Sequence, residues 1–216
     1  MGAGEVMTVF LCFAALICGV MTWSFLEYGI HRVLGHDRRT FPNPFGSEHT
    51  RHHAEGDYFA PTWKKSLVAL AALLLVAPLA VWAVGVLYGS LYAVAFVTMY
   101  VSYEVVHRRA HTHAGFTAYG RYMRRQHFHH HFENPRSNHG VTSPIWDVVF
   151  GTLEKPTVIH VPRKLQMRWL ADPATGELRD VHRPFYELVG KDRARATSPI
   201  KEPAPTPGPD ALLSDP

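Results

Sequence analysis

The stretch RRQHFHHHFENP, residues 124–135, places four histidines within five positions. Crowded imidazoles repel one another once protonated, so the rings must stay neutral and share something. A neutral imidazole offers one nitrogen lone pair, which is a metal ligand. The same pattern returns in HRVLGH (31–36), HTRHH (49–53) and HRRAH (107–111).

Helix geometry decides which rings can meet. Residues at i, i+3 and i+4 share a face. His127, His130 and His131 have that spacing, and so do His49, His52 and His53. His107 and His111 are an i, i+4 pair. His31 and His36 are i, i+5, which an ideal helix points apart; they converge only where the helix ends or bends, and Gly35 permits that. Ten ligands are too many for one ion, because a tetrahedral zinc site takes four, or three plus water. They suit two ions with about four to five each. A nitrogen-rich, oxygen-poor set argues against magnesium, calcium and manganese, and open positions on such a pair suit oxygen chemistry at iron.

Outer partners are expected too, since a metal-bound histidine gives its second N–H to a carboxylate or carbonyl. Glu27 lies four residues before His31 and Glu104 three before His107, both at ends of apolar helices where a lone charge is expensive. The alternative for each is a carboxylate at the membrane edge, in water. His129 is off the face of its neighbours, and Asn138 precedes His139 in a turn. Both are read as outer positions rather than ligands. His113 and His139 are likewise read as outer or solvated, and the isolated His160 and His182 as ordinary.

The elements that hold these residues are set by two apolar stretches. Hydrophobic residues make up 47% of the 216, but unevenly. Val6 to Leu26 carries no charge, and a membrane span needs roughly 20 apolar residues. No basic region precedes it and no small-residue cleavage site follows, which excludes a cleaved signal peptide. The second stretch, 66 to 106, is about twice the length of one span. Gly85, Gly89 and Ser90 divide it into predicted helices over 66–84 and 90–106, joined by a tight turn. The expected architecture is therefore all-α: an integral membrane bundle of about three spans under a histidine-rich helical cap. Arginines and lysines flank both outer ends of the hairpin, which puts all four clusters on the cytoplasmic face. Residues 1–152 form the membrane unit, 153–195 a small cytosolic extension and 196–216 a proline-rich disordered tail. Net charge of +4 with no basic, aromatic-interleaved stripe excludes nucleic acid as a partner. Cys12 and Cys18 lie inside the first apolar stretch and are read as packing residues.

With EYGIHRVLGH, HTRHH, HRRAH, RRQHFHHHFENP and NHGVTSPIWDVVFGT in this order, residues 27–152 resemble the fatty acid hydroxylase/sterol desaturase superfamily of integral membrane di-iron enzymes. The resemblance implies a centre of two iron ions, replaceable by zinc in preparations, held by His31, His36, His49, His52, His53, His107, His111, His127, His130 and His131. It implies O2-dependent hydroxylation of a fatty acyl or other lipid chain, with a sterol-type desaturase or carotenoid hydroxylase as the alternative. Some relatives carry a fused cytochrome b5-like domain. Here electrons are expected from a separate ferredoxin or cytochrome b5-like donor. Compact size and alanine-rich spans suggest a bacterial inner membrane. A metal-binding or transport protein is the reading from another class, and it fits less well because transporters place ligands near the bilayer midplane.

Overall fold

A computed structural model of the chain describes residues 2–115 and 117–190. The tail expected over 196–216 lies outside the described residues. Helix α1 runs Ala3–Gly29 and continues into a π-helical turn, Ile30–Gly35. Asn43 caps helix α2 (Pro44–Glu55) by accepting from the Gly46 N–H at 2.7 Å, and proline at the first helical position is pre-set for that start. Helix α3 spans Thr62–Thr112, α4 spans Ala118–Phe132 and α5 spans Ile145–Val149. The expectation of an all-α fold is corrected in one place. Strands β1 (Ile159–Pro162) and β2 (Tyr186–Val189) pair in parallel, with Ile159 opposite Tyr186.

Helices α1 and α3 are each long and apolar enough to cross a membrane. Their outward side chains include Phe10, Phe13, Ile17, Leu74, Trp82 and Val86, all exposed. Such a surface is stable against lipid, not against water. Straight, the 51 residues of α3 would reach about 77 Å, far beyond a hydrocarbon core of about 30 Å. The helix instead folds back at Gly85, whose φ of 82° and ψ of 169° only glycine adopts without strain. The two arms then lie side by side: the Tyr100 hydroxyl donates to the Lys65 carbonyl at 3.0 Å, and Lys65 pairs with Glu104. The hairpin expected from the glycine break is thus present, with its turn at Gly85 itself. Trp23 of α1 packs edge-on against Phe96 and Tyr100 of the returning arm, and Ala69, Ala72 and Val76 of the outgoing arm close the cluster.

The second core lies beneath α4. Phe128 packs with Ile159, Val161, Met167, Trp169, Leu170, Phe185 and Tyr186. The Trp169 indole N–H donates to the His111 carbonyl at 3.2 Å, so this segment braces the end of α3 as well as α4.

Gly85→Ala is expected to cost about 1–3 kcal/mol, because alanine is strained at that backbone conformation. Thermal unfolding in detergent should show a lowered midpoint; an unchanged one would mean that the turn can form elsewhere.

Candidate metal centre

Four elements deliver ten histidines to one place. The ligand nitrogens fall into two groups of five, and within each group all lie within 4.8 Å of one another. The first group is His31, His36, His49, His53 and His130; the second is His52, His107, His111, His127 and His131. Each HX2HH motif is split between them. On α2 the i, i+4 pair His49 and His53 joins the first group while His52 joins the second. On α4 the pair His127 and His131 joins the second while His130 joins the first. Adjacent histidines point about 100° apart on a helix, so one motif serves two centres. The His53 and His131 rings, one from each group, stack at 4.0 Å.

The i, i+5 pair finds its explanation in the π turn. A π turn bonds residue i to i+5 and is wider than an α turn, which swings His31 and His36 toward each other, with ring centroids 5.3 Å apart. Gly35 lies between them against the His49 ring. A Cβ there would come within 2.9 Å of His49 Cδ2, so no larger residue fits without moving a ligand.

Hydrogen bonds fix the tautomers. His31 Nδ1 lies 2.5 Å from the His139 carbonyl, His130 Nδ1 2.7 Å from the Ser137 carbonyl and His52 Nδ1 2.7 Å from the Tyr58 carbonyl. A carbonyl oxygen only accepts, so each Nδ1 carries the proton and donates, leaving a bare lone pair on Nε2. Those lone pairs crowd inward. His49 Nε2 stands 3.1 Å from His31 Nε2, 2.8 Å from His36 Nε2 and 3.0 Å from His53 Nε2. His130 Nε2 is 2.9 Å from His36 Nε2. In the second group His107 Nε2 is 3.0 Å from His52 Nε2, and His111 Nε2 is 2.8 Å from His127 Nε2. One N–H cannot serve three nitrogens. Two nitrogens bound at about 2.05 Å and at right angles sit roughly 2.9 Å apart, so this spacing suits a shared cation. The two ring nitrogens of His131 are buried and have no hydrogen-bond partner among the described residues, which is a further unmet demand.

Burial enforces neutrality. It lowers the pKa of His36 and of His52 to about 4 and that of His53 to about 2, with neighbouring histidines adding to the shift at His53. His49, His127, His130 and His131 are held well below the usual imidazole value for the same reasons.

The outer contacts differ from the expected ones. Glu27 does not meet His31; it accepts from the Val141 and Thr142 amides. Glu104 does not meet His107; it clasps Lys65 across the α3 hairpin. His129 faces away and contacts Glu154 at 2.9 Å. Asn138 lies beside the site through its backbone. At φ 55° it sits between the two carbonyls that accept from His130 and His31. Its side chain anchors it, donating to the Glu154 carbonyl at 2.9 Å and accepting from the Glu154 amide at 2.8 Å. Asp147, quoted in the sequence motif but given no role, accepts from the His139 and Gly140 amides at 2.8 Å each. The Tyr58 and Ser137 carbonyls have no side-chain signature and are legible only in the fold.

Two groups of five histidines at the end of an apolar helical hairpin define a class, the histidine-rich proteins whose clusters could hold metal. The family model described as fatty acid hydroxylase matches residues 16–152, and the chain belongs to that family. It is 32% identical over 163 residues to the ceramide very long chain fatty acid hydroxylase SCS7 of Saccharomyces cerevisiae, covering 68% of this chain and 40% of that protein. It is 32% identical over 152 residues to the dihydroceramide fatty acyl 2-hydroxylase FAH2 of Arabidopsis thaliana, covering 62% and 58%. The chain thus spans less than two thirds of either relative. A solved structure described as full-length scs7p, with only its hydroxylase domain visible, superposes with a TM-score of 0.51 at 27% identity, covering 68% of this chain and 57% of that one.

Acid should unfold the metal-free protein early. An unfolded histidine titrates near 6.5. Below that pH the unfolded chain takes up protons that buried His52 and His53 refuse, so stability falls as pH drops from about 6.5 toward 4. The slope is up to about 1.4 kcal/mol per pH unit for each such group. Thermal unfolding of chelator-treated protein at pH 7.5 and pH 5 should show a large drop; equal midpoints would mean the rings are not buried neutral.

Proposed function

We propose that the chain is an integral membrane hydroxylase of fatty acyl chains in lipids, using two iron ions, O2 and electrons from a separate ferredoxin or cytochrome b5-like protein. The observation that carries this is the convergence of ten neutral imidazoles into two groups of five where α1 and the α3 arms leave the apolar layer. Membership of the fatty acid hydroxylase family supports the reaction class. The relatives' names support an acyl chain as substrate, attacked at the carbon next to its carbonyl.

The residues that would hold the metals are the five histidines of each group. Iron bound there supplies oxidation of an unactivated C–H bond by O2. The protein's own share is positioning and exclusion of water. Carbonyls of residues 58, 137 and 139 hold the outer ring protons and aim the Nε2 lone pairs inward. His130 is fully buried, with the His31, His36, His53 and His139 rings around it. The lipid-facing helices bring the acyl chain from the membrane without passage through water. Three crossings, α1 and the two α3 arms, follow if α1 spans. The basic flanks then favour the cytoplasmic side for the centre.

Gln126 carries an unmet polar demand on the helix that bears the fourth histidine motif. It is 1% exposed, precedes His127 and sits one turn before His130, yet neither atom of its carboxamide has a partner among the described residues. Leaving such a group unpaired costs about 1–3 kcal/mol. The carbonyl of an acyl chain is the partner we assign to it. Gln126→Leu should then raise KM for the lipid several-fold and scatter the position of the new hydroxyl, with metal content unchanged. A single unaltered product position at wild-type KM would contradict the assignment.

Lipid mass spectrometry of an iron-supplied host expressing wild type or the His130→Ala, His131→Ala double variant tests the whole reading. A lipid gaining one oxygen only with wild type is the expected result. Loss of two hydrogens would make it a desaturase. Altered metal tolerance without any changed lipid would point to metal handling instead.

A further inference from the structure

The two centres are built differently. In the second, the outer contact of His52 is the Tyr58 carbonyl just beyond α2, and Trp169 braces the end of α3 at His111. In the first, the outer contacts of His31 and His130 both come from one loop, residues 137–139. That loop is held by two carboxylates. The His139 and Gly140 amides donate to Asp147, and the Val141 and Thr142 amides donate to Glu27 at 2.6 and 2.8 Å. Four successive N–H groups are therefore pinned, which leaves the His139 peptide little freedom to turn its carbonyl away from His31. The Thr142 hydroxyl adds a third bond to Glu27 at 2.6 Å. Glu27 is only 4% exposed and lies one helical turn before His31 on the same helix. One side chain of α1 thus sets the loop that orients the next one.

We propose that Glu27 is a positioning residue for the first centre, so that its loss weakens one of the two metals and spares the other. Its carboxylate acts through the loop, never on the metal. Charge-assisted bonds to neutral donors are what a carboxylate supplies here, and they are stronger than those of an amide. Loss of an outer partner of a metal-bound histidine lowers metal affinity by about 10–100-fold. Among the described residues, the contacts of the second group run to Tyr58, to Trp169 and to one another rather than to residues 137–142, so its affinity should stay put.

The inference rests on the two-metal reading, and metal binding tests it without any lipid turnover. Metal-free wild type, Glu27→Ala, Glu27→Gln and Thr142→Val would be titrated anaerobically with ferrous iron in detergent, and the bound metal counted per chain. Wild type should bind two. Glu27→Ala should keep one tightly and bind the other about 10–100-fold more weakly. Glu27→Gln, which still offers an oxygen to both amides, should regain most of the loss. Thr142→Val, which keeps both amides, should fall between Glu27→Gln and Glu27→Ala even if Glu27→Ala fails to fold. Two undiminished metals in both Glu27→Ala and Thr142→Val would overturn the proposal. So would equal loss of both metals in every variant, which would make Glu27 a general fold residue. Wild type that binds no metal would overturn the two-metal reading along with it.

Discussion

Ten imidazole nitrogens gathered into two groups of five, within 4.8 Å of one another in each group and with too few protons to share, are the constraint on which the structure turns. Each neutral ring spends its one N–H outward, on a carbonyl where the partner is seen. The inward nitrogens are then left facing each other. Such a cluster is unstable in itself and becomes favourable only around cations. Much of the rest of the fold can be read as scaffolding that makes this arrangement possible: a π turn that brings His31 to His36, a glycine that admits His49, and a loop whose amides are tied to Glu27 and Asp147.

The scaffold divides its work by solvent. The lipid-facing helices are held together by aromatic packing of Trp23 with Phe96 and Tyr100, and need few polar contacts of their own. Polar partners concentrate at the helix ends, where the histidines are. The sheet-bearing segment then closes the opposite side through Phe128 and Trp169. The Arg124 guanidinium lies 4.0 Å over the Trp169 ring and that of Arg125 4.3 Å over Phe185, which lets charges sit against this apolar cluster. The centre is thus enclosed by membrane helices on one side and by a small hydrophobic core on the other.

Much of this was legible in the sequence because it rests on side-chain type and helical spacing. The histidine quartets, the two long apolar stretches and the glycine break at residue 85 each carry a period or a composition that one line of sequence displays. The partition of each HX2HH motif between two centres follows from the 100° step of a helix, but which ring goes where needed the crossing of α2 with α4. The outer contacts take a form that sequence does not display, for a physical reason. Proximity in sequence pointed to Glu27 and Glu104 as direct partners of histidines, whereas the acceptors found are backbone carbonyls brought in from distant loops. A carbonyl belongs to every residue and leaves no mark on sequence. The short parallel strands were missed likewise, since four residues supply too little periodicity to stand out.

The most direct test is the iron-edge X-ray absorption spectrum of the protein loaded anaerobically with two equivalents of ferrous iron. A centre made by these residues should show a first shell of light atoms dominated by nitrogen, with the multiple scattering of several imidazoles per iron. A first shell of oxygen alone, without imidazole scattering, would contradict the claim that the converged histidines are a metal site.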